Sequence, residues 1–324
     1  MQKTRRFRCW AFGSLSTIKW SKQGDKQRYK CKECGVLSTY TNISVSKKNR
    51  EKWFKDWILG KQTIKQLAVS SSYSERTLKR YFYAYLDNYP IWAINRRERV
   101  NLLLDGTYFA NKVCLVLFRD NNIKATLFYR ITDGEWEDEL TEDIENILNL
   151  GIEIESVTCD GLSNILKSIK KTSPETIIQR CLAHIQRETL IWLTRNPQSP
   201  AGRELRDIVR QLHTISDRNA WGYCVVDLIN WYEKYQSFVN EKTYNPETGR
   251  YWFTHRTVRK AFIHIKRAIP DMFHYLDNPK IPKTTNGLES FFGHLKQNIS
   301  LHRGLSKEHF KNYIKWYLYY KNCK

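Results

Sequence analysis

The 324-residue sequence lacks an apolar run approaching the roughly 20 residues that a helix needs to cross a bilayer. Its basic amino terminus is not followed by the apolar core of a secretory signal. The eight cysteines are scattered and do not resemble a secreted disulfide framework. Internal repeats and low-complexity segments are absent too. We therefore expect a cytoplasmic globular protein with several domains.

Acidic residues are scarce at the amino-terminal end. Residues 1–100 hold 23 Lys and Arg against 7 Asp and Glu, whereas the rest of the chain holds 31 against 26. The net charge of +21 is therefore concentrated in a basic front attached to a nearly balanced body. This distribution favours a polyanion-binding arm, most simply one for nucleic acid. The alternative is a basic soluble protein with no such partner.

One cysteine is missing from what would otherwise be a zinc ribbon in residues 1–46. Cys31 and Cys34 lie on a tight turn and Cys9 precedes them, but Phe12 stands where the fourth cysteine is expected. Structural zinc takes four ligands, and no histidine lies nearby. The ribbon is either degenerate and held together by aromatic side chains, or completed by a residue that the sequence does not identify.

Residues 47–95 carry a helical pattern. A short amphipathic helix at 63–69, a serine-rich turn at 70–73 and a second helix at 74–82 predict a helix-turn-helix DNA-binding domain. The second helix places three basic side chains outward, where they would face a DNA major groove: Arg76, Lys79 and Arg80. The alternative is an ordinary helical hairpin with a solvated basic face.

After residue 95 the apolar period becomes that of strands. The predicted elements are strands at 100–108, 113–118 and 125–131, a helix at 140–150, a strand at 154–161, a helix at 162–171, a strand at 176–179 and a helix at 181–193. This order is typical of an RNase H-like mixed sheet, in which the first and fourth strands are neighbours. The predicted fold class is therefore α/β plus α, with the first part of a catalytic core at 96–193.

Residues 194–283 do not continue the sheet and are predicted to form an all-α insertion, before closing helices of the core at 284–324. Trp221, Trp231 and Trp252 are expected to fill the core of this insertion. The alternative is that they stack on a flipped base at a cleaved DNA end. Two acids upstream, Asp133 and Glu135, are expected in a loop and a solvated helix start.

Three carboxylates form the strongest candidate site. Asp105 and Asp160 each close an apolar strand and precede a glycine, and Glu289 lies near the start of a helix with one apolar face. Each signal alone is weak, because Asp-Gly also marks turns and most such glutamates are solvated. Together, two neighbouring strands and a facing helix can hold two hard divalent ions for phosphodiester chemistry.

Several motifs carry a resemblance to a known family. They are LLDGTY at 103–108, VTCDG at 157–161, RCLAH at 180–184, LTRNP at 193–197, AGREL at 201–205, TNGLE at 285–289 and HRG at 302–304. Through them, about residues 95–324 resemble DDE transposases of the Mutator-like group of bacterial insertion sequences. The amino-terminal ribbon and helix-turn-helix also suit that group.

The resemblance implies that Asp105, Asp160 and Glu289 are catalytic ligands of two Mg²⁺ or Mn²⁺ ions. Water would release a 3′-hydroxyl at the element's end, and that hydroxyl would attack target DNA. The implied partner is double-stranded DNA, both the terminal repeats and the target. A homodimer or larger assembly is implied because two ends must be joined, and the location would be the nucleoid.

Three further residues are placed near the predicted site. Cys181 and His184 resemble a Cys-x-x-His pair of related transposases, and a structural or DNA-positioning role is favoured over metal binding because two ligands are too few for zinc. Asn286 is expected to hydrogen-bond near the site or to cap its helix. Two rival functions stay open: a non-catalytic regulator derived from a transposase, which has no need of an acidic trio, and a structure-selective nuclease, which has no need of the DNA-binding front.

Overall fold

The computed structural model describes residue 9 and residues 14–39, 43–71, 73–91, 98–110 and 112–323, with the backbone alone at 43–47. Phe12, where the ribbon departs from its pattern, and residues 92–97 lie outside these ranges. The chain forms two compact units, Met1–Tyr85 and Leu86–Lys324. In the described ranges, every helix is too short or too polar to cross a membrane.

The amino-terminal unit joins a small sheet to a helical cluster. Its elements are β1 (Thr17–Gln23), β2 (Lys26–Cys31), β3 (Leu37–Thr39), α1 (Ile43–Leu59), α2 (Ile64–Ser71) and α3 (Glu75–Leu86). The three strands are antiparallel in the order β1-β2-β3. The helices share an aromatic core, in which the ring of Phe82 lies 5.0 Å from that of Trp57 and 5.9 Å from that of Phe54.

The predicted starts of α2 and α3 are confirmed by their caps. Thr63 accepts a hydrogen bond from the backbone N–H of Gln66, and Gln66 accepts one from the backbone N–H of Thr63, which together form a capping box. Ser74 accepts a hydrogen bond from the N–H of Thr77. The second helix extends four residues beyond its predicted end, because Leu86 continues the buried stripe of Leu78 and Phe82.

The larger unit is built on a five-stranded mixed sheet. Its strands are β4 (Arg99–Phe109), β5 (Val113–Asp120), β6 (Ala125–Thr132), β7 (Glu153–Cys159) and β8 (Ile177–Arg180), in the order β6-β5-β4-β7-β8. The first three are antiparallel, and β4, β7 and β8 are parallel to one another. The expected pairing of the first and fourth strands of this sheet is confirmed.

Helices cover both faces of this sheet. In β4, Leu102 and Leu104 point to one face of the sheet and Leu103 points to the other. The face that carries Leu102 and Leu104 packs on α4 (Glu137–Asn149) and α5 (Ser163–Thr172) through a buried apolar cluster. The second face meets α10 (Asn286–Ser300) and α11 (Lys307–Asn322), and Asn322 binds both backbone groups of Thr126 in β6.

The insertion is not all-α, and that prediction is wrong. Its elements, following α6 (Leu182–Leu193), are α7 (Pro200–Gln211), α8 (Arg218–Asn240), the hairpin strands β9 (Lys242–Tyr244) and β10 (Tyr251–Phe253), and α9 (Arg256–Ala268). Aromatic and β-branched residues favour the strands. The turn between them is fixed by the Asn245 side chain, which accepts hydrogen bonds from the N–H groups of Glu247 and Thr248.

The three tryptophans of the insertion have different environments. Trp231 is 3% exposed, as predicted, and its indole N–H donates to the Ala201 carbonyl at 2.9 Å. Trp221 is partly buried against Phe273. Trp252 lies on the hairpin and is 45% exposed, so the prediction that it fills the core is wrong, because the short hairpin leaves both Trp252 and its neighbour Tyr251 exposed to solvent.

Replacing Trp231 by Phe will destabilise the insertion by about 1–3 kcal/mol. The phenyl ring keeps part of the packing but loses the buried hydrogen bond from the indole N–H to the Ala201 carbonyl. The measurement is the urea midpoint of unfolding. Trp252→Phe on the exposed hairpin is the matched control, and an equal loss in both variants would contradict the assignment of Trp231 to the core.

Candidate active site

Asp105 and Asp160 lie at the same edge of the sheet. In the parallel pairing of β4 with β7, Leu103 stands opposite Thr158, and the two aspartates lie two residues further along their chains. Asp160 follows β7 directly and its side chain accepts a hydrogen bond from the N–H of Leu162, which turns the chain toward α5. The parallel pairing therefore brings together the two acids that the sequence selects, although β4 continues beyond Asp105 to Phe109 and only Asp160 follows the end of its strand.

The electrostatic surroundings of Asp105 are unfavourable for its charge. The residue is 8% exposed, and burial raises the pKa of its carboxyl to about 7. The nearby positive charge of His184 opposes this rise, whereas the negative charges of Asp160 and Glu135 add to it. One hydrogen bond, from the backbone N–H of Gly106 at 2.9 Å, stabilises the ionised form.

Glu135 belongs to this group of acids, and its predicted place in a solvated helix start is wrong. A Cβ atom at Gly106 would lie 2.5 Å from its carboxyl carbon, so the glutamate fills the space that glycine leaves open. Burial and the charge of Asp160 raise the pKa of Glu135. Tyr108 donates a hydrogen bond to its Oε2 at 3.3 Å. The place of Glu135 in the sequence could have indicated its place in the site, because the residue follows β6 and the carboxyl ends of β6 and β4 lie on the same side of the sheet.

Glu289 lies on the first turn of α10 and is held by two cations. Arg187 donates two hydrogen bonds to its carboxylate, each 2.9 Å long, and lowers the pKa of Glu289. The Nε2 atom of His184 lies 3.2 Å from the same carboxylate. In the part of the chain that the structure describes, no three carboxylate oxygens converge to within 4.8 Å. The charge of His184 acts on both Glu289 and Asp105.

Arg187 is a second residue that the sequence analysis missed. It lies three residues after His184 on α6, and residues three apart occupy the same helix face. That spacing, with a glutamate expected opposite, was the signal that could have identified it. The two-pronged contact of a guanidinium with a carboxylate fixes the orientation of both groups.

Cys181, His184 and Thr285 form a compact polar cluster beneath Glu289. The backbone N–H and the hydroxyl of Thr285 both donate to the Cys181 sulfur, at 3.2 and 3.4 Å. The hydrogen bond with Cys181 raises the pKa of His184 to about 9, and the charges of Asp105 and Glu289 add to the rise. Thr285 occupies the N-cap position of α10 without a capping hydrogen bond, and Asn286 begins the helix as an exposed residue.

The cysteines of the amino-terminal unit converge, although Cys9 lies 25 residues before Cys34 in the sequence. The sulfur atoms of Cys9, Cys31 and Cys34 all lie within 4.8 Å of one another. A hydrogen bond from the backbone of Cys34 lowers the pKa of the Cys31 thiol. Thiolates are favoured ligands of zinc, so the donor set fits three of the four positions of a structural zinc site.

The basic face of α3 is exposed as the sequence predicts. Arg76, Lys79 and Arg80 all point to solvent, whereas Leu78 and Phe82 on the other side are buried. Lys79 lies 5.4 Å from the ring of Tyr83, so its aliphatic stem is ordered along the helix. The helix can therefore present three cations to a polyanion without disturbing its core.

Asp105, Asp160 and Glu135 lie together at the side of the sheet toward which β4, β6 and β7 run, a place called here the carboxylate edge. This carboxylate edge suits hard divalent cations. Its donors are oxygen atoms only, which Mg²⁺ and Mn²⁺ prefer. The Oε1 atom of Glu135 is buried without a hydrogen-bond partner among the described residues. A cation here would satisfy that atom and remove the mutual repulsion of Asp105, Asp160 and Glu135.

Comparisons with known proteins show which family the chain is similar to. The sequence model of the family described as "Transposase, Mutator family" matches residues 61–299. A Corynebacterium diphtheriae protein described as "Probable transposase for insertion sequence element" is 25% identical over 107 residues. That match covers 32% of this chain and spans 31% of the length of the relative.

Proposed function

Because the chain belongs to the Mutator family of transposases, we propose that it cuts and joins DNA at the ends of an insertion sequence by a DDE mechanism. The observation that carries this proposal is the pair of aspartates at one sheet edge, Asp105 and Asp160, within the matched region. We further propose that the five-stranded sheet is RNase H-like, because its strand order and directions are those expected for that fold.

The residues of the site have distinct roles in this proposal. Asp105 and Asp160 would hold two Mg²⁺ or Mn²⁺ ions, and Glu135 would complete the oxygen cage. When bound, such ions lower the barrier to phosphodiester displacement by stabilising the attacking and leaving oxygens. Glu289 is the third predicted ligand, and in the metal-free protein Arg187 occupies both of its oxygens.

His184 and Cys181 act as positioning groups. With its pKa raised to about 9, His184 is protonated at neutral pH and supplies a positive charge that acts on both Asp105 and Glu289. That charge offsets part of the repulsion among the acids before a cation arrives. The hydrogen bonds of Cys181 with Thr285 tie the start of α6 to the start of α10 and hold the glutamate helix in place.

The amino-terminal unit would recognise DNA. We assign α2 and α3 to a helix-turn-helix with α3 as the recognition helix, supported by the exposed cations Arg76, Lys79 and Arg80. Double-stranded DNA of the element ends and of the target is the proposed partner. A dimer or larger assembly on DNA follows from the need to join two ends.

The test is a cleavage and strand-transfer assay on DNA carrying the ends that flank the gene. Metal-dependent release of a 3′-hydroxyl and its joining to target DNA are expected in Mg²⁺ or Mn²⁺, and neither in EDTA. Glu289→Gln serves as the matched inactive variant, because it keeps the shape of the side chain without its charge. Tight binding to the ends with no cleavage would instead support a DNA-binding regulator, and cleavage without joining would support a nuclease.

Replacing Arg187 by Gln will raise the affinity for Mn²⁺ about tenfold. The arginine occupies both oxygens of Glu289 and places a positive charge beside the proposed cation site, so its removal helps a cation by about 1.4 kcal/mol. The measurement is titration of free Mn²⁺ by electron paramagnetic resonance. Arg187→Lys keeps the charge and should change little, whereas weaker Mn²⁺ binding in Arg187→Gln would contradict the role given to the arginine.

We propose that the converging thiols bind zinc. Cys9, Cys31 and Cys34 would supply three ligands, and a donor other than these thiols would supply the fourth. Protein purified without chelator should contain about one zinc per chain, and Cys31→Ser should lose it. The measurement is elemental analysis, with Cys323→Ser as the control because that exposed cysteine lies outside the trio. Equal zinc contents in the two variants would mean that Cys31 does not bind zinc, and the thiol trio would be rejected as a zinc site.

A further inference from the structure

A basic groove of about 980 Å³ lies beside the carboxylate edge, between the sheet-covering helix α5 and the insertion. One wall is a single face of α9, where Arg256, Lys260 and Arg267 recur at positions that share one side of a helix. The other wall is α5, with Lys167 and Lys170. The exposed side chains of both walls therefore present positive charge to the same space.

Most cations of the groove have no carboxylate partner among the residues that the structure describes. Seven Lys and Arg side chains line it, against one acid, Asp271. Within the described ranges, Lys167 is the one lining Lys or Arg with a carboxylate closer than 4.0 Å, its partner being Glu137 at 3.2 Å. Like charges gathered in one groove repel one another unless an anion is bound. The groove is therefore suited to a polyanion, and small-molecule pockets are mostly apolar by comparison.

The groove continues directly from the proposed active site. Arg180, only 7% exposed, forms part of its lining and donates a hydrogen bond to the backbone carbonyl of Asp160 at 3.3 Å. Gly161 has a φ of +84°, and a Cβ atom there would lie 1.7 Å from the Arg180 Nε. The glycine thus lets a guanidinium pass beneath the chain beside the catalytic aspartate.

The aromatic side chains in the groove hold its cations in place. Lys260 lies 3.9 Å from the ring centre of Trp192, and Arg259 lies 3.8 Å from that of Phe253. Each ring already has a cation on one face. The arrangement favours contacts with phosphate groups over stacking with bases.

We propose that this groove binds the phosphate backbone of the DNA that continues from the scissile phosphate at Asp160. The inference rests on the proposed function, because it takes the substrate of the neighbouring carboxylates to be DNA. It assigns to α5 and α9 a sequence-independent contact that positions the strand. Recognition of the DNA bases is assigned to the amino-terminal unit.

The test compares two triple variants of the full chain with equal loss of charge. Arg256→Gln/Lys260→Gln/Arg267→Gln removes three exposed cations from the groove, and Lys124→Gln/Lys280→Gln/Lys307→Gln removes three exposed lysines elsewhere on the same unit. Affinity for a duplex carrying the element end is measured by fluorescence anisotropy over a range of salt concentrations. Because each phosphate contact contributes about 0.9 to the slope of log K against log salt, the groove variant should flatten the slope by about 2–3. The control should keep it.

The outcomes separate this inference from the proposed function. Equal slopes for the two triple variants would overturn the groove as a DNA surface. A flattened slope in the groove variant, with no metal-dependent cleavage by the unsubstituted protein, would keep the groove and reject the transposase. Gln favours helix, so folding should be retained. If the triple variant unfolds, Lys170→Gln on the other wall replaces it, with an expected flattening of about 1.

Discussion

Replacing Asp105 by Asn will abolish DNA cleavage and at the same time stabilise the metal-free protein. The lost carboxylate is a proposed ligand, and removing about 4 kcal/mol of transition-state stabilisation lowers the rate roughly a thousandfold. The fold gains because the buried, repelled charge disappears, while the Asn oxygen can still accept the hydrogen bond from Gly106. A substitution that lowers activity while it raises stability indicates that the acid serves function rather than folding.

The stability gain depends on pH in a defined direction. The pKa of Asp105 is about 7 in the folded protein and about 3.9 in the unfolded chain. Ionisation of Asp105 therefore leaves the free energy of unfolding unchanged below about pH 4, lowers it progressively as the pH rises toward 7, and lowers it by a constant amount above about pH 7. The full difference is up to about 4 kcal/mol in favour of Asp105→Asn at pH 8.

The measurement is urea unfolding in EDTA at pH 8 and at pH 4.5. Asp227→Asn is the matched control, because Asp227 is an exposed acid on α8. The control should show little change at either pH. Equal stability of Asp105→Asn and the unsubstituted protein at pH 8 would mean that neither burial nor the neighbouring acids disfavour the charge of Asp105, and the proposed cation site would lose its electrostatic support.

The part of this site that the sequence predicts is the part fixed by strand periodicity. Asp105 and Asp160 each end an apolar run, and the pairing of a first with a fourth strand places such ends side by side. Glu135 could not be identified in this way. Its burial depends on the space above Gly106, and that contact between a loop and a strand has no periodic signal in the chain.

Local signals also failed where a tertiary partner competed for the same atom. Asn286 is one candidate for the cap of α10 in the sequence, but the N-cap position falls on Thr285, and the hydroxyl of Thr285 binds the Cys181 sulfur instead of the helix. The β9–β10 hairpin was missed because its strands are three residues each, too short for an alternating pattern to stand out from a helical region. Arg187 was missed because its partner Glu289 lies 102 residues away in sequence.

Replacing Arg130 by Met will destabilise the larger unit by about 3–5 kcal/mol, the cost expected when one partner of a buried ion pair is removed. Arg130 on β6 donates hydrogen bonds from its Nε to both carboxylate oxygens of Asp143 on α4, each at 2.9 Å. Asp143 has no exposed surface, and burial raises its pKa even with the arginine present. Its charge would be left without a partner against the sheet.

The destabilisation should fade with acid, because a protonated Asp143 is neutral. Without Arg130 the folded pKa of Asp143 rises further above its unfolded value, so the loss of stability is full above that pKa and vanishes below about pH 4.

The double variant Arg130→Met/Asp143→Leu should recover most of the lost stability, since a buried ion pair and an apolar pair of similar size differ little in stability. Urea unfolding of the three proteins across this pH range is the measurement. A double variant no more stable than Arg130→Met would show that the arginine acts through packing of its stem rather than through the charge of Asp143. Because α4 begins two residues after Glu135, cleavage should fall together with stability in Arg130→Met and return in the double variant.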